Sequence, residues 1–327
     1  MTIVPGLALC LVVAILAFAL GRAVPIVGGP VFGIVIGMLV ALVRRPDARF
    51  VPGVKVASKQ LLQLSIVVLG ANLSLAEIVG NGLHSLPVML GTLVIVLIVA
   101  YVAGNALGVG RDLRRLLAIG TAICGGSAIA ALSTVVESSE ADIAYAISTV
   151  FLFNIVAVLL FPPLGHLLAL SQQAFGLWAG TAINDTSSVV AAGFVYGHAA
   201  GNEAVIVKLT RTTLIVPIVL FYAGKKIWQA RGAGSVVDWK AIVPWFIVWF
   251  VVAAVLNTFG LIPAGWHGAL TAVALFSIVV ALSGVGLSAD FARMRSAGFR
   301  PIALGLILWV SIAIGSLAIA RFTGIGG

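Results

Sequence analysis

Charge is what this chain has least of. Asp, Glu, Lys and Arg make up 9% of its 327 residues, where a soluble domain carries about 25%. Hydrophobic residues make up 61%, and the mean hydropathy is +1.21. That excludes a soluble globular protein, and no polar stretch is long enough to form a separate soluble domain. Apolar runs of about 20 residues recur along the chain, the length of a helical crossing and not of a barrel strand. Cysteine is nearly absent. Cys10 and Cys124 both lie in apolar runs, which excludes a disulfide framework and a multi-cysteine metal site. The four histidines (His84, His166, His198 and His267) fall near loops without metal-ligand spacing, so neither a metal nor a cofactor is expected. No Gly-x-x-x-x-Gly-Lys-Ser/Thr loop is present, so energy coupling through ATP is not expected. The first apolar run, Ile3–Leu20, has no Lys or Arg before it and reads as a retained helix, not a signal peptide.

Spans are expected at 3–20, 24–43, 60–78, 86–107, 113–136, 143–165, 175–196, 204–223, 241–259, 267–287 and 301–320. The net charge of +9 would suit nucleic acid, but its distribution does not, because the cations sit in short loops. The loops after spans two, four, eight and ten hold 15 of the 19 basic residues. The intervening loops hold Glu77, Glu137, Glu140, Asp142 and Glu203, with Arg22 as the single cation. Eleven spans with the N-terminus inside and the C-terminus outside satisfy the positive-inside rule in every loop. The fold expected is an all-α polytopic membrane protein forming one domain over 1–327.

Two spans are interrupted. Gly120-Thr121-Ala122-Ile123 leads into Cys124-Gly125-Gly126-Ser127, and Gly180-Thr181-Ala182-Ile183 leads into Asn184-Asp185-Thr186-Ser187-Ser188. Each glycine weakens a helix by about 1 kcal/mol relative to alanine. Unwinding there frees backbone groups, and the half-helix that follows presents N–H groups and a positive dipole end that suit an anion. Asn184, Thr186, Ser187 and Ser188 are capping types. Asp185 is the only acid placed within a span, and a buried acid marks a functional pathway by default. Its expected partners are Lys208 and Arg211, three residues apart on one face of the next span, with Thr210, Thr212 and Thr213 adding hydroxyls nearby. An Asp185–Arg211 or Asp185–Lys208 pair would compete with, or help bind, an anionic substrate, and protonation of Asp185 would release the cation. Asn154, in the span between the breaks, is a candidate amide ligand.

An internal repeat is also visible. Ser65-Ile66-Val67-Val68 recurs as Ser277-Ile278-Val279-Val280, and Gly70, Pro87 and Gly91 match Gly284, Pro301 and Gly305. Spans three and four thus resemble spans ten and eleven, seven spans apart and oppositely directed, which is an inverted-topology repeat. The two Gly-Thr-Ala-Ile segments fall in spans running the same way and are not an inverted pair in this topology. A re-entrant hairpin at either break would revise it. Enzyme chemistry has little to work with: Gly125-Gly126-Ser127-Ala128 has no histidine in any span to activate Ser127, and an aspartyl protease would need a second embedded Asp.

Gly120–Gly126, the run Val189-Val190-Ala191-Ala192-Gly193 after an acidic residue, and Ala204-Val205-Ile206-Val207-Lys208-Leu209-Thr210-Arg211 together resemble the YeiH-type sulfate exporter family over most of the chain. The resemblance implies an inverted-repeat fold with interrupted helices, as in the cation/proton antiporter and bile-acid symporter superfamily. Asp185, Lys208 and Arg211 fall on charged positions of the family pattern. Some members carry His where this chain has Asn184, a departure that bears on proton coupling. The expectation is a bacterial inner-membrane secondary transporter that exports a small sulfate- or sulfite-like inorganic anion, driven by an ion gradient. The alternative is a sodium- or proton-coupled antiporter or organic-anion symporter with Asp185 as its cation site. The lipid bilayer and the anion are the expected partners, nucleic acid is not, and a homo-oligomer is compatible with the sequence.

Overall fold

The computed structural model describes residues 3–23, 28–43, 46–136, 138–215, 217, 218, 221, 222, 245–289 and 299–325. Among them every regular element is helical. Five helices are long and apolar enough to cross a membrane: Val4–Ala23, Leu75–Ala106, Ala141–Leu167, His267–Leu287 and Phe299–Thr323. The basic loops expected after spans eight and ten lie largely outside the described residues, as do the end of span 204–223 and the start of span 241–259.

Helices α1 (Val4–Ala23) and α2 (Gly28–Val43) pack on α13 (His267–Leu287). The backbones of α2 and α13 touch: a Cβ on Gly286 would stand 2.3 Å from the Ile34 carbonyl oxygen and 3.0 Å from the Gly37 Cα. Small residues are what allow helices to approach this closely. The next helix has Pro52 in its first turn, where proline is favourable, and runs through α3 (Val51–Lys55), a π-helical turn (Val56–Leu61) and α4 (Leu62–Gly70). A capping box then starts α5 (Leu75–Ala106): the Glu77 amide donates to Ser74 Oγ at 3.2 Å, and the Ser74 amide donates to the Glu77 carboxylate at 2.7 Å. The expected boundary between spans 60–78 and 86–107 is therefore displaced. The chain turns at Ala71–Ser74, and α5 has 32 residues.

The two interrupted segments do not run straight. The first splits into α6 (Arg111–Ala122) and α7 (Gly126–Val136), and the second into α9 (Gln172–Ala182) and α10 (Thr186–Tyr196). Between them runs α8 (Glu140–Leu167). Gly120 lies against Ile129, whose Cδ1 would be 2.8 Å from an added Cβ; a straight helix would put them about 13 Å apart along its axis. The rings of Phe175 and Tyr196 stack with centroids 3.8 Å apart, against about 31 Å along a straight helix. Each segment is a helical hairpin whose legs have 11 or 12 residues, about 17 Å. This corrects the reading of 113–136 and 175–196 as single crossings. The hairpins come from opposite ends of α8. That helix begins just beyond α7, and its far end carries His166 stacked on Tyr196 at the base of the second hairpin. The tips meet midway, where Gly125 faces the Asn184 backbone.

Helix α11 (His198–Thr213) leaves the second hairpin through Gly197 and packs on both its legs. Helices α12 (Trp245–Thr258), α13 and α14 (Phe299–Thr323) complete the fold. One apolar core joins α5 to α9 with α14, and two others join α1–α4, α12 and α13; α10 and α11 contribute to both sides.

Candidate functional site

The last carbonyls of a helix have no partner within it. At the two tips this leaves two such ends facing each other, away from solvent. Lys208 and Arg211, one turn apart on α11, fill that need, and both are 0% exposed. Lys208 Nζ donates to the Ile123 carbonyl at 2.8 Å and to the Ile183 carbonyl at 2.9 Å. Arg211 donates through Nε to the Ala122 carbonyl at 2.6 Å and through one terminal nitrogen to the Thr121 carbonyl at 2.9 Å. Its other terminal nitrogen donates to the Thr181 carbonyl. Each cation thus holds one end from each hairpin, and a positive charge at a helix C-terminus is favourable. The paired ligands are equivalent members of the repeated Gly-Thr-Ala-Ile: Ile123 with Ile183, and Thr121 with Thr181. Sequence reasoning singled out the cations but missed these carbonyls. The signal was available, because any helix broken in an apolar segment strands its terminal carbonyls.

The expected ion pair is absent. Among the described residues neither Lys208 nor Arg211 lies within 4 Å of a carboxylate, and the ion pairs there join Arg49 to Asp47 and Arg115 to Asp112. Asp185 instead caps α10, accepting from the Ser187 amide at 2.9 Å, the Ser188 amide at 3.4 Å and the Ser187 hydroxyl. The hydroxyls of Thr210, Thr212 and Thr213 donate to carbonyls of their own helix and do not enter the site. Lys208 does not reach for the helix end; it points inward. Asn154 lies at the second tip, where its Oδ1 accepts from the Asn184 amide at 3.2 Å and the Asp185 amide at 3.3 Å. Asn154 Nδ2 and Asn184 Oδ1 are buried without a hydrogen-bond partner.

Cys124 is a free, buried thiol within electrostatic reach of Lys208, Asp185 and Arg211. Gly125 has φ +67°, a left-handed conformation that turns the first tip, and Gly126 opens α7. Thr186 opens α10. The side chain of Ser127 lies outside the described residues. Among those described, no group of His, Cys, Asp and Glu could hold a metal ion.

These features define a multi-pass, all-helical membrane protein with two opposed helical hairpins held tip to tip by buried cations. The chain belongs to the YeiH-like family described as Conserved hypothetical protein 698, whose model matches residues 5–305. Its relatives include UPF0324 membrane protein FN0533 of Fusobacterium nucleatum, 37% identical over 98% of both chains. UPF0324 membrane proteins of Streptococcus pyogenes serotype M6 and Streptococcus pneumoniae serotype 4 are each 39% identical, over 98% of this chain and 97% of theirs.

Proposed function

We propose that the protein is a bacterial inner-membrane secondary transporter that passes a small inorganic anion through the junction of the two hairpin tips. The observation that carries this reading is the charge there. Lys208 and Arg211 are fully buried, and among the described residues Asp185 is the one carboxylate acting on Lys208, so the formal charges of these three groups sum to +1. Buried charge inside a membrane marks an ion or substrate path by default. The family resemblance makes sulfate and sulfite the first candidates. With no nucleotide-binding loop in the chain, coupling falls to an ion gradient, with Asp185 as the proton-carrying group. The reading of Asp185 as a sodium site has less support, because its engaged oxygen already takes two amides and a hydroxyl and two cations stand close by.

In this reading the chain makes nine crossings and two re-entrant hairpins, in place of eleven crossings. The first hairpin enters from inside, beside Arg111, Arg114 and Arg115, and the second from outside. Removing one crossing at each hairpin leaves every basic loop on the same side, so the positive-inside pattern still holds. The hairpins with α8 and α11 then form two inverted units at an offset of 60, which gives the Gly-Thr-Ala-Ile pair the inverted relation it lacked in the eleven-span topology.

Flux of radiolabelled sulfate and sulfite into proteoliposomes, with and without a pH gradient, tests the reading. Saturable flux is expected, with Asp185→Asn uncoupling it from the gradient; asparagine caps a helix as well as aspartate. No flux for any small inorganic anion, or flux unchanged in Arg211→Met, would overturn it.

A further inference from the structure

The two tips share Gly-Thr-Ala-Ile and a common backbone hydrogen-bond pattern, and then diverge: Cys124-Gly125-Gly126 stands where the second tip has Asn184-Asp185-Thr186. In the first, the Ile123 amide donates to the Ile119 carbonyl at 3.0 Å and the Ile129 amide to the Gly125 carbonyl at 3.1 Å. In the second, the Ile183 amide donates to the Ala179 carbonyl at 3.0 Å and the Val189 amide to the Asp185 carbonyl at 3.0 Å. Gly125 therefore holds at α7 the capping position that Asp185 holds at α10. One tip carries a built-in carboxylate, and the other has no side chain there. Among the described side chains, the Cys124 thiol approaches the Ala128 amide at the start of α7, and a thiol is a weak acceptor. Above Gly125 an added Cβ would make ordinary contacts, with Val150 at 3.4 Å and the Asn184 backbone at 3.7 Å, and the left-handed φ of +67° is what keeps a side chain from that position.

A second observation points into the same place. Val150, which touches Gly125, is followed one turn along α8 by Asn154, whose amide lies against the opposing tip. Asn154 and Asn184 are 2% and 1% exposed, yet the donor Asn154 Nδ2 and the acceptor Asn184 Oδ1 have no partner. Buried polar atoms without partners are rare and call for a ligand or a water. One free donor and one free acceptor fit a group that both accepts and donates.

We propose that the substrate is a monovalent oxyanion carrying one hydroxyl, of the hydrogensulfite or hydrogencarbonate kind, bound over Gly125 at the start of α7. Its oxygens take the place that the Asp185 carboxylate takes at α10 and accept from Asn154 Nδ2, while its hydroxyl donates to Asn184 Oδ1. A single negative charge neutralises the local +1, whereas a dianion would leave the buried site at −1. This rests on the transport reading above and narrows its substrate.

The test is thermal stabilisation of purified protein in detergent by hydrogencarbonate, hydrogensulfite, nitrate and sulfate. The hydroxylated monoanions are expected to bind at least about tenfold more tightly than sulfate, a difference of about 1.4 kcal/mol, with nitrate between. Gly125→Asp, which supplies a carboxylate at a left-handed position that Asp tolerates better than most residues, is expected to abolish stabilisation by anions. If Gly125→Asp does not fold, alkylation of Cys124 in a Cys10→Ala background decides: hydrogencarbonate should slow it and sulfate should not. Sulfate binding as tightly as hydrogencarbonate, anion binding intact in folded Gly125→Asp, or no protection of Cys124 would each overturn the proposal and leave the transport reading standing. No stabilisation of the natural sequence by any of the anions would instead remove the transport reading itself.

Discussion

Replacing Arg211 by methionine should loosen both hairpin tips at once. Methionine matches the length of the aliphatic stem but withdraws three donors, stranding the carbonyls of Thr121, Ala122 and Thr181. A hydrogen bond to a charged group contributes about 1.5–3 kcal/mol, so the gross loss is about 4–9 kcal/mol. Burying a guanidinium has its own desolvation penalty, and removing the charge returns several kcal/mol of it. The net expected loss is about 2–4 kcal/mol, or on the order of 10 °C in melting temperature at about 2–4 °C per kcal/mol for a large domain. Lys208→Met strands two carbonyls, Ile123 and Ile183, and should fall less. The assay is thermal unfolding in detergent followed by tryptophan fluorescence, paired with alkylation of Cys124 in the absence of anions. Because Cys124 lies two residues beyond the Ala122 carbonyl that Arg211 holds, its labelling should speed up in Arg211→Met. A melting temperature within about 2 °C of the natural protein's, with unchanged labelling of Cys124, would show that the cations do not hold the tips together.

Three further expectations follow from the same geometry. Cysteines introduced as Phe175→Cys with Tyr196→Cys, in a background lacking Cys10 and Cys124, should be joined by a short bifunctional reagent, since the native rings stack at 3.8 Å; failure to cross-link folded protein would restore a straight span. Asn154→Leu leaves the Asn184 and Asp185 amides without their acceptor and should destabilise by about 2–3 kcal/mol, with anion affinity falling as well; an unchanged melting temperature would argue that water replaces the side chain. Gly286→Val drives a branched side chain into the Ile34 carbonyl and should lower stability by about 3 kcal/mol or more, whereas Gly80→Ala, where nothing lies within 4 Å, should leave it equal or raised in the same melting assay.

Much of the site was legible in the sequence because lipid is intolerant of polar groups. Asp185, Asn154, Lys208 and Arg211 stood out as residues with no reason to be in an apolar segment, and the fold brings all four to the hairpin tips. The hairpins were not legible. An apolar run of 22 residues with a polar break in its middle fits one crossing of about 33 Å or two legs of about 17 Å, and hydropathy does not separate these. Loop charge could not help either, since two re-entries on opposite sides leave the basic loops where they were. The boundary between α4 and α5 was misplaced although its signals were present, Pro52 at one helix start and the Ser74–Glu77 box at the next. The partner of the cations was misjudged for a physical reason. The N-termini of the half-helices and the lone carboxylate are conspicuous in the sequence, while the stranded carbonyls on the other side of each break, which carry the opposite partial charge, leave no mark in residue type.

The single helix carrying both cations has a mechanical consequence. Lys208 and Arg211 each grip both tips, so α11 acts as a rigid pin through two opposed jaws: force applied to either jaw is delivered to the other within one helical turn. Neither can swing aside alone without breaking bonds to both cations. In the proposed transport cycle, access to the two sides of the membrane would alternate through displacement of the whole pinned assembly. An apolar crevice between Ile34, Val35 and Met38 of α2 and Ile155, Val158 and Leu159 of α8 would offer that displacement a lining of side chains without hydrogen-bonding groups.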